Sequence, residues 1–284
     1  MRILVTGAGG MLGTDVVAEC QRRGHQVMAL GHAELDITSG SAVKEALKDH
    51  HPGVVINCAA YTNVDGAEEN SNLAMAINAL GVRNLALACR AVKATLMQVS
   101  TDYVFDGSKG GPWRVYDHRS PINAYGESKY LGERFIETAG GRYFIVRTSW
   151  LFGHNGPNFI ETMLRLARAG QSLTVVTDQR GCPTYTVDLA AALLDLAETQ
   201  ACGIYHVTNR EATNWYEFAQ AIFDCAGLKA NLSPTDSNQY KRPARRPANS
   251  VLDPFPLAET IGYLLPPWQD ALKRYLAQKG YQTA

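Results

Sequence analysis

The 284-residue sequence has no surplus of either charge: Lys+Arg and Asp+Glu number 27 each, for a formal net charge of zero. That balance removes the usual electrostatic argument for nucleic acid or an anionic membrane as a main partner. There is no Cys-x-x-Cys and no zinc-type cysteine–histidine spacing. The six cysteines, at 20, 58, 89, 182, 202 and 225, mostly sit in apolar stretches such as VVINCAA and LALACRA. They read as free core thiols in a reducing cytoplasm. The opening MRILVTGAGG reaches glycine before an apolar region develops, and no later apolar run is expected to span a membrane. Repeats and low-complexity linkers are missing too, so the C-terminal part is expected to pack directly on the rest.

What is present is a core-forming composition, 46% hydrophobic, arranged with a clear rhythm. RILVT, QVMAL, GVVINCA and TLMQVS alternate with LGTDVVAECQRRG, SAVKEALKDH and SNLAMAINALGVRNLALACRAV. The first set contains unbroken apolar runs, as in strands buried on both faces, and the second has helical patterning. Together they predict an α/β fold, a doubly wound parallel sheet of the Rossmann type. Residues 1–150 are read as the dinucleotide-binding domain. Residues 151–284 are read as mainly substrate-binding, with some strands and helices returning to the sheet; SLTVVTD and GIYHVTN are the candidate strands. The polar, proline-rich stretch 229–256 reads as an ordered lid or loop system.

The first strand-to-helix turn is TGAGGMLG. Gly7, Gly10 and Gly13 permit the sharp turn and close backbone approach, and a helix starting near Met11 and Leu12 offers free N–H groups to a pyrophosphate. The second strand ends at Gly31 and His32, without the acidic residue that would hold a ribose 2′-hydroxyl. NADPH is therefore the expected cofactor, with NADH as a second option. Asp36, followed by Ile37, is placed either to approach the adenine or to cap a turn. Ala59, Ala60, Tyr61 and Thr62, after the third strand, are further cofactor candidates.

Tyr125 and Lys129 are four residues apart in YGESK, and on a helix that step puts both on one face. A phenol titrates near pH 10, and a neighbouring ammonium favours its phenolate. With TGxxGxxG and the Ser100–Thr101 pair at a strand end, this set resembles the extended short-chain dehydrogenase/reductase family. STDYVFDG, PINAYGESKYLGE, RTSWLFG, DQRGCPTY and RPANSVLD resemble, in order, segments of its members that reduce dTDP-4-keto-6-deoxy sugars. The resemblance covers essentially the whole chain and implies a dTDP-sugar substrate. It makes Tyr125 the catalytic acid, Lys129 its partner and the ribose ligand, and Thr101 the hydroxyl that steadies the reacting oxygen. Thr101, Asp102, Trp150 and Arg246 are its substrate-binding candidates, and Asn78 supports the site. Trp150 could instead be core, Arg246 part of a solvated cluster, and Asn78 a packing residue.

The resemblance also covers enzymes that epimerise or dehydrate nucleotide sugars, and a non-catalytic regulatory subunit of methionine adenosyltransferase. A dehydratase would be expected to carry an acid pair beside the tyrosine, where this chain has only Asp102. Some relatives dimerise through a metal held by acidic residues, but Val187 occupies one expected acid position. A monomer or homodimer without a metal is the expectation.

Overall fold

The computed structural model describes residues 1–281. Its first half runs β1 (Arg2–Thr6), α1 (Met11–Arg22), β2 (Gln26–Leu30), α2 (Gly40–His50), β3 (Val54–Asn57) and α3 (Val64–Glu69). One long helical rod follows: α4 (Ser71–Met75), a π-helical stretch at Ala76–Gly81, and α5 (Val82–Val92). Then come β4 (Thr95–Thr101), α6 (Ala124–Ala139) and β5 (Tyr143–Thr148). β3 is buried at every residue and β1 at all but its first, as a strand covered on both faces must be.

The second half contains β6 (Leu151–Phe152), α7 (Phe159–Arg168), β7 (Leu173–Val176), β8 (Arg180–Gly181), β9 (Thr184–Tyr185) and α8 (Thr186–Glu198). It continues with β10 (Gly203–His206), β11 (Thr213–Asn214), α9 (Trp215–Ala226), β12 (Leu232–Thr235), α10 (Leu257–Ile261) and α11 (Trp268–Gln278). The main sheet has the order β10-β5-β4-β3-β1-β2, and every pair in it is parallel. Strand order reverses between β1 and β3, so the crevice above their carboxyl ends is where a ligand fits.

Two apolar layers sandwich this sheet. One carries Leu12, Val16 and Cys20 of α1 with Leu189 and Leu193 of α8. The other carries Val43 and Leu47 of α2, Leu85 and Cys89 of α5, and Ile136 of α6. A third cluster joins α7, α9 and α11 through Ile160, Leu164, Phe218, Trp268 and Tyr275, with Phe152 of β6 and Tyr185 of β9.

Two expectations are corrected. β7, from SLTVVTD, does not return to the main sheet but pairs with β12, while β10 does join β5. Strand propensity in β7 was legible; its partner, 59 residues later (Leu173↔Leu232), was not. The rod Ser71–Val92 is, against expectation, long and apolar enough to cross a membrane, with a mean hydropathy of 1.2. Half of that stretch is buried, and the rod packs against α2 and α6, which accounts for its apolar character without a bilayer.

Candidate active site

At the end of β1 the chain turns through Gly7, whose φ of +64° favours glycine, and a Cβ there would fall 2.5 Å from the Ala59 backbone nitrogen. A Cβ on Gly13 would strike the Gly7 oxygen at 2.2 Å, so the helix meets the loop at a contact only glycine permits. Gly10 caps α1 without any side-chain bond, leaving the first-turn N–H groups for a ligand. This bare-backbone cradle at a helix start fits a dinucleotide pyrophosphate. Met11 is half-buried beside Gly156, while Leu12 lies in the core and has only its backbone to offer.

Ile37 is also a core residue, packed on Gly81. Asp36 serves its own turn: its Oδ1 accepts from the Thr38 N–H at 2.9 Å and from the Thr38 hydroxyl at 2.8 Å. The Thr38 backbone bond keeps its carboxyl below the usual range. Ser39, not Asp36, caps α2. Ala59, Ala60 and Tyr61 are partly buried and Thr62 is exposed along the β3 exit. Asn78, buried within the π-helical stretch, grips that exit from both sides: Oδ1 accepts from Tyr61 N at 2.9 Å, and Nδ2 donates to Tyr61 O at 3.0 Å. Nδ2 also donates to Ser128 Oγ at 2.9 Å, which ties the exit loop to α6.

α6 begins at Asn123, whose side chain accepts from Gly126 N at 2.7 Å and donates to Arg245 O at 2.7 Å. A Cβ on Gly126 would meet Tyr103 O at 2.2 Å, and one on Gly132 would meet Asn78 O at 2.2 Å. The first approach brings the helix hard against the turn that follows β4, and the second seats it on the π-helical stretch. Tyr125 lies there beside the Thr101 side chain, and burial pushes its phenol up to about 12. The sequence pointed to an ammonium-lowered phenol; burial wins instead. Lys129 donates to Val99 O at 2.7 Å, and burial lowers it to about 8.

One turn further along the same face, fully buried Glu133 accepts from Arg147 at 2.9 and 2.8 Å, from Ser100 at 2.6 Å and from Arg119 at 2.8 Å. Burial alone would raise its carboxyl, but the Arg147 guanidinium and these bonds hold it at about 2. Asp102 is equally buried yet lacks a cation. Its Oδ1 accepts from Thr101 at 2.9 Å, its Oδ2 has no partner, and burial pushes it up to about 7. Sequence reasoning missed the Glu133 network, although Lys129-x-x-x-Glu133 repeats the helical step of Tyr125 and Lys129.

Trp150 is half-buried with φ at +48°, a costly conformation for a bulky residue. Its ring stacks on Trp215 with centroids 3.7 Å apart, and a Cβ on Gly181 would lie 2.5 Å from it. Trp215 lines a cavity of about 1000 Å³ with Tyr103, Phe159, Val175, Arg245 and Arg246. Arg246 donates to Asp65 at 2.5 Å, Arg242 does so at 3.1 Å, and the Arg246 contact holds Asp65 at about 2. The lid is thereby fastened to α3. Its far end is held by Asn249, which donates to Lys109 O at 2.7 Å and Gly111 O at 2.9 Å. Tyr103 joins the two parts of the site: it lines the cavity, and its ring packs edge-on against Tyr125 at 5.9 Å. Val187 is exposed on α8, where Asp188 is already paired with Arg274 at 2.6 Å.

A family model described as the RmlD substrate binding domain matches residues 1–280. The chain is 49% identical over 259 residues to a dTDP-4-dehydrorhamnose reductase of Streptomyces griseus, covering 89% of this chain and 85% of that one. It is 40% identical to the spore coat polysaccharide biosynthesis protein SpsK of Bacillus subtilis, over 98% of each. Among solved structures, a dTDP-4-dehydrorhamnose reductase of Bacillus anthracis in complex with NADP superposes with a TM-score of 0.95 at 39% identity. That match covers 98% of this chain and 99% of the other.

Proposed function

Because the chain belongs to the family of RmlD substrate-binding domains, we propose that it reduces the 4-keto group of dTDP-4-dehydro-L-rhamnose to give dTDP-L-rhamnose. It is an NAD(P)H-dependent oxidoreductase of nucleotide-sugar metabolism that uses NADPH. We assign it to the cytoplasm, as a monomer or homodimer whose product feeds cell-surface polysaccharide. The observation that carries the chemical reading is the placement of the enclosed Tyr125 phenol beside Thr101 and Tyr103 at the carboxyl end of β4.

The bound nicotinamide supplies the hydride for the C4 carbon. Tyr125 supplies the proton: with its phenol raised to about 12 it is protonated at neutral pH, and it is an acid that reduction requires. The phenolic O–H bond breaks as the new O–H forms on the former carbonyl oxygen, and water then restores the phenol. Thr101 turns its hydroxyl from Asp102 to the same oxygen and stabilises charge there. Lys129, fixed on Val99, is assigned to the nicotinamide ribose. The cavity beside Tyr103 suits the nucleotide, Arg246 the diphosphate, and Trp150 with Asp102 the sugar.

The test is loss of NADPH absorbance on mixing the protein with dTDP-4-dehydro-L-rhamnose. Sugar-dependent oxidation is expected. A folded, NADPH-binding protein that oxidises nothing with this sugar contradicts the substrate assignment.

A further inference from the structure

The candidate active site lies at the carboxyl ends of the strands; a second cavity, of about 520 Å³, opens at their amino ends. It runs beneath four neighbouring strands, where Arg2 starts β1, Val54 starts β3, Thr95 starts β4 and Arg142 precedes β5. The backbone fixes this edge: Gly53 N donates to Arg2 O at 2.9 Å, Thr95 N to Gly53 O at 2.9 Å and Leu96 N to Arg142 O at 3.0 Å. Arg2, Lys93 and Arg142 line the cavity, and no carboxylate does. Among the described residues these three make no ion pair; Arg142 donates to Gln200 Oε1 at 2.6 Å. α2, α5 and α8 end around the same rim, at His51, Lys93 and Thr199. Each helix end carries roughly half a negative charge, about one and a half in all against three cations. Lys93 complements its own helix end, but Arg2 and Arg142 belong to strands and have no such role. An excess of positive charge therefore stays at this edge in a chain whose formal total is zero.

We propose that this amino-edge cavity binds a diphosphate, free or as part of a nucleotide. Guanidinium groups pair with phosphate oxygens two at a time, and an ammonium adds a point charge, so Arg2, Arg142 and Lys93 supply the donors such an anion needs. The volume falls in the range of small-molecule sites, and a cleft lined by one sign of charge concentrates the opposite ion. No Phe, Tyr or Trp lines the cavity for a base or sugar to stack on, so recognition is of the phosphates. The length of the sheet separates it from Tyr125, and an anion held there does not displace cofactor or sugar.

Inorganic pyrophosphate and dTDP are titrated calorimetrically into the NADPH-saturated protein, whose glycine cradle is then filled. Wild type is compared with Arg2→Gln, Lys93→Gln, Arg142→Gln and Lys44→Gln. All four side chains are exposed, so thermal melting should match wild type. Wild type is expected to bind pyrophosphate saturably, with Kd raised about tenfold in each cavity variant, the scale of one charge-assisted bond. Lys44 lies on α2 outside the cavity, and its variant should stay within about twofold of wild type. A second equivalent of dTDP that Arg142→Gln weakens assigns the site to nucleotides. A single equivalent that no cavity variant weakens, with pyrophosphate still affected, assigns it to the inorganic ion. Absence of saturable pyrophosphate binding to wild type overturns the proposal. So does a Kd within about twofold of wild type in all three cavity variants, which would put the ion elsewhere. A Lys44→Gln shift as large as theirs would make the effect one of general charge and overturn it equally.

Discussion

The wall that carries Tyr125 and the lid that covers it are ordered by different means. The wall is a sixteen-residue helix against a seven-residue strand, seated on glycine contacts and fixed from behind by the buried Glu133–Arg147 pair. The lid, from β12 to α10, has little regular structure and is pinned by side chains: Asp65 to Arg242 and Arg246, and Asn249 to the 109–111 loop. A helix and sheet hold reacting groups to a fixed geometry, while a pinned loop can vary its contacts and still close. The account therefore gives the wall the proton transfer and the lid the choice of nucleotide sugar.

This division can be broken most directly at Tyr125. Tyr125→Phe is expected to lower kcat by about 10²–10⁴-fold, the usual worth of a positioned general acid, while NADPH titration finds binding intact. Glu133→Gln tests whether the wall depends on its buried pair. It leaves the fully buried Arg147 without its countercharge, and chemical denaturation should record a loss of about 3–5 kcal/mol. On the lid, Asp65→Ala frees Arg242 and Arg246 together. The KM for the sugar should rise about tenfold, the scale of one charge-assisted bond, with kcat little changed.

The smallest effect expected is in the pH profile. Burial lowers Lys129 to about 8, so its ammonium is present below that pH and lost above it. NADPH binding and kcat/KM should fall as pH rises through about 8, and a profile flat to pH 9.5 would remove Lys129 from the ribose.

The wall was legible in the sequence because its signals are local. Unbroken apolar runs such as VVI announced the double-sided sheet, and the Tyr125-to-Lys129 step announced a shared helix face. The sense of the Tyr125 shift was not legible, because it depends on how deeply the fold encloses the phenol. The lid's clamps were hidden for a different reason: Asp65 and Arg246 are 181 residues apart, and no periodicity links them. The stack of Trp150 on Trp215 is a long-range pairing of the same kind.

The most direct measurement is steady-state kinetics of Tyr125→Phe and Asp65→Ala side by side, with dTDP-4-dehydro-L-rhamnose varied at saturating NADPH. The account predicts that the wall variant loses kcat with KM nearly unchanged, and that the lid variant loses apparent affinity with kcat nearly unchanged. If kcat collapses in Asp65→Ala as it does in Tyr125→Phe, the lid takes part in the chemical step and the division is wrong.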